Sequence, residues 1–260
     1  MSEQSLKNIS LWITRPHGQA DQLSNMLRKK GAKVLHLPMI QIEKIAVSKK
    51  ARASIKKLKN YDLVFFISTN AANLGMELLE VEFSKLPDKP AYFAPGPTTA
   101  RVLESYGLKV FYPDKVMSTE ALLILPEIRR ILENKEKKKQ ALIFRGQGGR
   151  ELLANTLRAK GVEVEYIELY KRVLPSLSEA YLKEISTAKK PDGIIFSSAE
   201  AIQNFIVLFE KVYPDYKKIP AFLSSERLMG IARDAGFANT ILLKAANDQS
   251  VVDGVEKAHG

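Results

Sequence analysis

The chain has 260 residues, 45% of them hydrophobic and 27% charged, with a formal net charge of +11 and no cysteine. That composition supports a sizeable buried core, while no apolar run approaches the ~18 residues of a membrane span. Disulfides, thiolate zinc sites, iron–sulfur clusters and thiol nucleophiles are excluded. Three histidines, His17, His36 and His259, offer little to a histidine metal centre or a Ser-His-Asp triad, so no metal centre is expected.

From the amino end, MSEQSLKNIS carries neither a basic n-region nor an apolar h-region, which makes the cytoplasm the expected location. Short apolar, β-branched or aromatic runs then alternate with amphipathic stretches, the pattern of βα units around a parallel sheet. Strands are expected over 9–14, 33–42, 63–68, 91–94 and 109–112. Between the first two, Leu23, Met26 and Leu27 fall at helical spacing and Gly31 supplies a stop. The basic run KEKKK, Lys135 to Lys139, has no interleaved aromatic residue, so it reads as a solvated connector and not as a nucleic-acid patch. Beyond it, strands are expected over 141–145, 163–172, 193–197, 221–224 and 240–244, and Leu152, Leu153, Leu157 and Gly161 repeat the helix and its stop.

The halves superimpose at one ungapped offset of 130. Arg15 falls on Arg145, Gly18 on Gly148, Leu27 on Leu157, Gly31 on Gly161, Asp62 on Asp192, Ser68 on Ser198 and Pro90 on Pro220. Several blocks at one offset mean a tandem duplication, with repeats of about 1–134 and 135–260. The expected fold is α/β, two similar parallel-sheet domains.

Ligands of parallel sheets gather at the carboxyl ends of strands, where loops enter helices. Six segments stand there: Thr14-Arg15-Pro16-His17-Gly18, Ser68-Thr69-Asn70-Ala71, Pro95-Gly96-Pro97-Thr98-Thr99-Ala100, Arg145-Gly146-Gln147-Gly148-Gly149-Arg150, Ser197-Ser198-Ala199-Glu200-Ala201 and Ser224-Ser225-Glu226-Arg227. Each is read as a hydroxyl or small residue opening a helix, giving an N-cap and an anion-receptive dipole end. Capping alone is the ordinary role of such residues. Six of these loops in a basic protein, two with arginine directly after the strand, point to anion capture as well. Gly146 to Glu151 is not a dinucleotide fingerprint, because Glu151 stands in place of the third glycine, and there is no P-loop.

The segment Arg145-Gly146-Gln147-Gly148-Gly149-Arg150-Glu151, followed by Leu153, Leu157, Gly161 and Tyr170-Lys171-Arg172, resembles the uroporphyrinogen-III synthase family. So do Thr14-Arg15-Pro16, Gly31-Ala32, Pro38, Ser68-Thr69-Asn70-Ala71, Gly96-Pro97-Thr98-Thr99-Ala100 and Ser225-Glu226-Arg227-Leu228, in order along nearly the whole chain. The resemblance implies flavodoxin-like domains exchanged across the duplication: 1–40 with 172–260, and an inserted 41–171, the chain crossing near Met39 to Lys44 and Leu169 to Leu174. It implies a cofactor-free lyase that closes hydroxymethylbilane into uroporphyrinogen III with inversion of the last ring. A monomer is expected.

The eight carboxylates of that linear tetrapyrrole suit a basic cleft lined by helix N-termini. Carried over residue by residue, Tyr170 is the expected catalytic residue, assisting departure of the hydroxyl by hydrogen bonding. A phenol of reference pKa near ~10 is a weak acid, so positioning is expected to dominate. Arg15, Ser68, Thr69, Asn70, Gly96, Thr98, Thr99, Arg145, Gly146, Arg150, Ser197, Ser198 and Ser225 are the expected substrate contacts. A non-catalytic binder of a small polyanion and a nucleic-acid-binding module are the rival readings.

Overall fold

The apolar runs form strands and the amphipathic stretches helices in a computed structural model that describes residues 4–114, 118–134, 137–188 and 190–259. The chain opens with β1 (Ser10–Ile13), α1 (Asp21–Lys29), β2 (Lys33–His36) and β3 (Gln41–Lys44). It continues through α2 (Lys49–Lys56), β4 (Leu63–Phe66), α3 (Thr69–Glu82), β5 (Ala91–Phe93), α4 (Pro97–Glu104) and β6 (Val110–Phe111). Then come α5 (Thr119–Leu123), α6 (Pro126–Glu133), β7 (Gln140–Gly146), α7 (Leu152–Ala159) and β8 (Glu163–Val173). The last part adds α8 (Glu179–Ala188), β9 (Gly193–Phe196), α9 (Ala199–Phe209), β10 (Ala221–Leu223), α10 (Glu226–Asp234), β11 (Thr240–Leu242) and α11 (Asp248–His259). Among the described residues, no helix is long and apolar enough to cross a membrane.

Contacts divide the chain into two compact units, Met1–Ile42 with Val173–Gly260, and Glu43–Arg172. In the first, a sheet of order β11-β10-β9-β1-β2 is parallel throughout. One face packs Trp12 against Phe205 and Phe209, at ring-centroid distances of 6.3 and 5.5 Å, and all three are fully buried. Burial of each such ring contributes on the order of 2–3 kcal/mol before the entropy of ordering is counted.

The second unit has a sheet of order β3-β8-β7-β4-β5-β6, parallel across β8, β7, β4, β5 and β6. Phe66 and Phe144 stack at 4.4 Å, and Gly75 of α3 lies on them so closely that a Cβ there would stand 2.6 Å from the Phe66 ring. Glycine at this position is what lets the helix reach the sheet.

The duplication is visible at the amino ends of the strands. Asp62 Oδ2 accepts from Gln140 N–H at 3.1 Å, and its repeat partner Asp192 accepts from Ser10 N–H at 2.8 Å. The helix stops also recur, with Gly31 at φ +93° and Gly161 at φ +80°.

The long strand expected over 33–42 is instead two, β2 and β3, separated by four residues. Pro38 stands in the gap and has no N–H to give a ladder. The KEKKK run is a connector in its described part: Lys137 pairs with Asp62 at 3.1 Å and Lys138 with Glu163 at 2.6 Å, while Lys135 and Glu136 lie outside the described residues.

Candidate functional site

At the carboxyl edge of the second unit's sheet, β7 and β8 run beyond their neighbours. Gly146 comes opposite Tyr170 through a register shift after Arg145, and Gln147 N–H donates to Tyr170 O at 2.7 Å. Gly146 makes room for the phenol, since a Cβ there would stand 2.6 Å from the Tyr170 ring. Tyr170, 6% exposed, places Oη 2.9 Å from Ser68 Oγ. Ser68 in turn caps α3, its Oγ accepting from Ala71 N–H at 3.0 Å. Ser68, Tyr170, Gly146, Arg145, Arg150 and Arg172 share the lining of a cavity of about 310 Å³.

The arginine directly after β7's apolar core is committed to the protein itself. Arg145 is 2% exposed, and its Nη1 donates to Glu151 Oε1 at 2.6 Å, its Nε to Gly146 O at 3.1 Å and its Nη2 to Gly148 O. Its guanidinium also lies 4.6 Å from the Tyr166 ring centroid, and Tyr166 Oη–H donates to Glu151. Hydrogen bonds from Tyr166 and Arg145 hold the Glu151 carboxyl below the usual carboxylate range. Burial, and then the Glu151 hydrogen bond, push the Tyr166 phenol up. Arg145 thus braces the loop that carries Gly146 to Gly149 while it also lines the cavity.

Arg150 is exposed and pairs with Glu120 at 2.8 Å. Beyond Ser68, Thr69 and Asn70 occupy the first turn of α3, and Thr69 Oγ1 lies 3.5 Å from Thr99 Oγ1 on α4. Gly96 precedes α4 with no side-chain cap, Thr98 is exposed and Thr99 buried.

In the first unit, Arg15 is also a brace. It donates to Asp248 Oδ1 at 2.5 Å and to the Gln19 and Ala246 carbonyls, both at 3.4 Å. Ser198 caps α9 by accepting from Ala201 N–H at 3.1 Å, and Ser225 caps α10 by accepting from Leu228 N–H at 3.4 Å. Ser197 is exposed just before that cap. Side-chain capping, expected of all six loops, holds for the three led by Ser68, Ser198 and Ser225; the helices after Gly18, Gly96 and Arg150 start without one.

Of the polar side chains in the lining, two were not among the expected contacts, Arg172 and Thr119. Arg172 was legible: two residues after Tyr170 on one strand, it shares that residue's face. Thr119 had no local signal. Chemically, the site offers two hydroxyls at a helix N-terminus beside a basic rim, a setting for carboxylate capture and for hydrogen bonding to a leaving oxygen. Among the described residues, no three His, Asp or Glu side chains cluster as a metal-binding group.

A sequence model of the family described as Uroporphyrinogen-III synthase HemD matches residues 21–253. The uroporphyrinogen-III synthase of Escherichia coli (strain K12) is 30% identical over 251 residues, covering 95% of this chain and 100% of the relative. That of Proteus mirabilis is 34% identical over 169 residues, 64% of this chain and 81% of the relative. The fold matches uroporphyrinogen-III synthetase from Helicobacter pylori 26695 with a TM-score of 0.62 at 16% identity, over 96% of this chain and 99% of that one. With a matched region that takes in both units and the loops bearing Ser68, Gly146 and Tyr170, the chain belongs to the uroporphyrinogen-III synthase family.

Proposed function

We propose that this lyase closes hydroxymethylbilane to uroporphyrinogen III, with inversion of the last ring and net loss of water, and that Ser68 and Tyr170 serve the first step. The observation that carries the assignment of residues is the 2.9 Å contact between the two hydroxyls at the mouth of α3. Ser68 Oγ accepts from Ala71 N–H. When Ser68 donates its own proton to Tyr170 Oη, the phenolic hydrogen is left for the departing hydroxyl of the substrate. Loss of that hydroxyl leaves an electrophilic azafulvene. Attack by the substituted carbon of the last pyrrole forms a spiro intermediate, whose fragmentation and reclosure invert the ring.

The 310 Å³ cavity is at the small end for ligand sites and takes only a fraction of a tetrapyrrole. Holding the flexible chain in the attacking geometry is therefore assigned to the carboxyl-end loops as a set, including Thr69, Asn70, Gly96, Thr98, Thr99, Ser197, Ser198 and Ser225, through helix N-termini facing substrate carboxylates. The same reading takes the chain as a cytoplasmic monomer that needs neither metal nor nucleotide and binds no nucleic acid; the +11 charge serves its polycarboxylate substrate.

The test is incubation with enzymatically generated hydroxymethylbilane and isomer-resolved chromatography of the oxidised product. Type III above the enzyme-free control supports the reading; only type I at the spontaneous rate overturns it. Loss of activity to a chelator with recovery on adding a metal ion overturns the cofactor-free part.

A further inference from the structure

A larger cavity lies elsewhere. About 900 Å³ in volume, it sits at the amino edge of the second unit's sheet, where Asp62, Pro90, Lys109 and Lys139 lead into β4, β5, β6 and β7. Tyr170 and Ser68 stand at the opposite, carboxyl edge. We propose that this cavity is a second binding site, for an anion with a flat ring body.

The duplicated unit shows that the space is not a necessary feature of the fold. In the first unit, α10 stops at Gly236 (φ +90°) and the next residue, Phe237, returns its N–H to Ala232 O at 3.0 Å. In the second, α4 stops at Gly107 (φ +80°) and Leu108 returns its N–H to Leu103 O at 3.4 Å. The stops are equivalent, but their side chains are not. Phe237 is 3% exposed and packs against the fully buried Tyr216, centroids 5.3 Å apart, on a 3-10 turn over Pro214–Lys218 that precedes β10. Before β5 the second unit has no such turn, and Leu86 and Leu108 line the open cavity, both half-buried. One copy plugs this position with two aromatic rings; the other leaves it empty.

The lining defines the ligand. Tyr92, Tyr106 and Phe111 supply ring surfaces, with Tyr106 39% exposed. Asp62 is already matched by Lys137 at 3.1 Å and Lys89 at 3.6 Å. Lys85, Lys109, Arg130 and Lys139 also line the cavity and have no acidic partner among the described residues, against one further lining acid, Asp88. Uncompensated cations around an aromatic floor favour a planar ring system carrying two or more negative groups. Such an anion comes in two forms, a ring with phosphates or a ring with carboxylates.

The experiment is calorimetric titration of the full chain with ATP and, separately, with naphthalene tetracarboxylate. Each is repeated on Leu86→Tyr/Leu108→Phe, which rebuilds the plug, and on Lys109→Glu/Arg130→Glu, which reverses rim charge without touching the core. The expected result is one-to-one binding below about 1 mM by at least one probe, weakened ~tenfold or more in both variants and by added salt, with synthase turnover unchanged. The stronger probe identifies phosphate or carboxylate as the preferred group. Binding absent below about 1 mM for both probes, or undiminished in the charge-reversed protein, overturns the proposal.

Discussion

The two units share a plan, and one strand pair shows how they diverge. In the first, β1 and β2 pair from Ser10 opposite Lys33 to Ile13 opposite His36, where the ladder ends. In the second, the corresponding β7 and β8 pair from Gln140 opposite Glu163 through Ile143 opposite Tyr166 and on to Gly146 opposite Tyr170. The repeat places Pro16 on Gly146 and Pro38 on Glu168. Beyond His36, Leu37 N–H still donates to Ile13 O and Met39 N–H to Thr14 O, but neither Pro16 nor Pro38 has an N–H with which to extend a regular ladder as the second copy does. That extension delivers a tyrosine to Ser68 at the carboxyl edge. The arginines after the two strands, by contrast, kept one job: Arg15 and Arg145 each tie their loop to an acid, Asp248 and Glu151. Duplication preserved the brace and allowed the pairing to diverge.

The largest expected effect concerns the units themselves, which we propose are the folding domains. A fragment of residues 43–172 should unfold cooperatively by calorimetry, whereas 1–134 and 135–260, each lacking strands of its sheets, should not. Cooperative unfolding of both sequence halves would make them ordinary tandem domains.

The extended pairing is broken at its end by Tyr170→Phe, expected to lower turnover ~10- to 1,000-fold with folding intact. Gly146→Val should lower it at least ~tenfold by driving a side chain into the Tyr170 ring. Normal turnover in both, measured by timed product analysis, removes the pair from the mechanism.

The braces are compared by Arg145→Met and Arg15→Met. The Arg145 side chain is 3% exposed and the Arg15 side chain 13%. Loss of ~2–3 kcal/mol is expected for the first and ~1 for the second, read from urea midpoints at constant slope. Equal losses would mean the loops are held by something else.

Ser68→Ala and Ser198→Ala each remove a cap, so each should cost ~1 kcal/mol. Ser68→Ala should reduce turnover the more, because of these two only Ser68 contacts Tyr170. Matching activity losses would argue that the contact is incidental.

The smallest effect is at the amino ends. Burial pushes the Asp62 carboxyl up, but the Gln140 N–H and the Lys137 and Lys89 ammonium groups outweigh it and hold the carboxyl below its ordinary value. A lowered acid stabilises the fold above its unfolded pKa of ~3.9 and loses that contribution as pH falls through the folded value. Asp62→Asn should therefore destabilise by up to ~1 kcal/mol near neutrality, and the gap from wild type should close below about pH 4. A gap independent of pH would assign the effect to packing.

The sequence alone determined the duplication, the βα alternation, the serine caps at 68, 198 and 225 and the glycine stops at 31 and 161. These are local features, because a helix's apolar period, its cap and its stop act within one or two turns. Tyr170 was legible through the ordered family motifs. The tertiary structure decided what lies across strands and between loops. Whether Arg145 meets Glu151, whether Ser68 finds a hydroxyl 102 positions away, and whether Pro38 ends a strand all depend on register and burial. The same holds for the amino-edge cavity, since Leu108 and Phe237 are both ordinary apolar residues in sequence, and only the volume around each shows that one fills its space and the other does not.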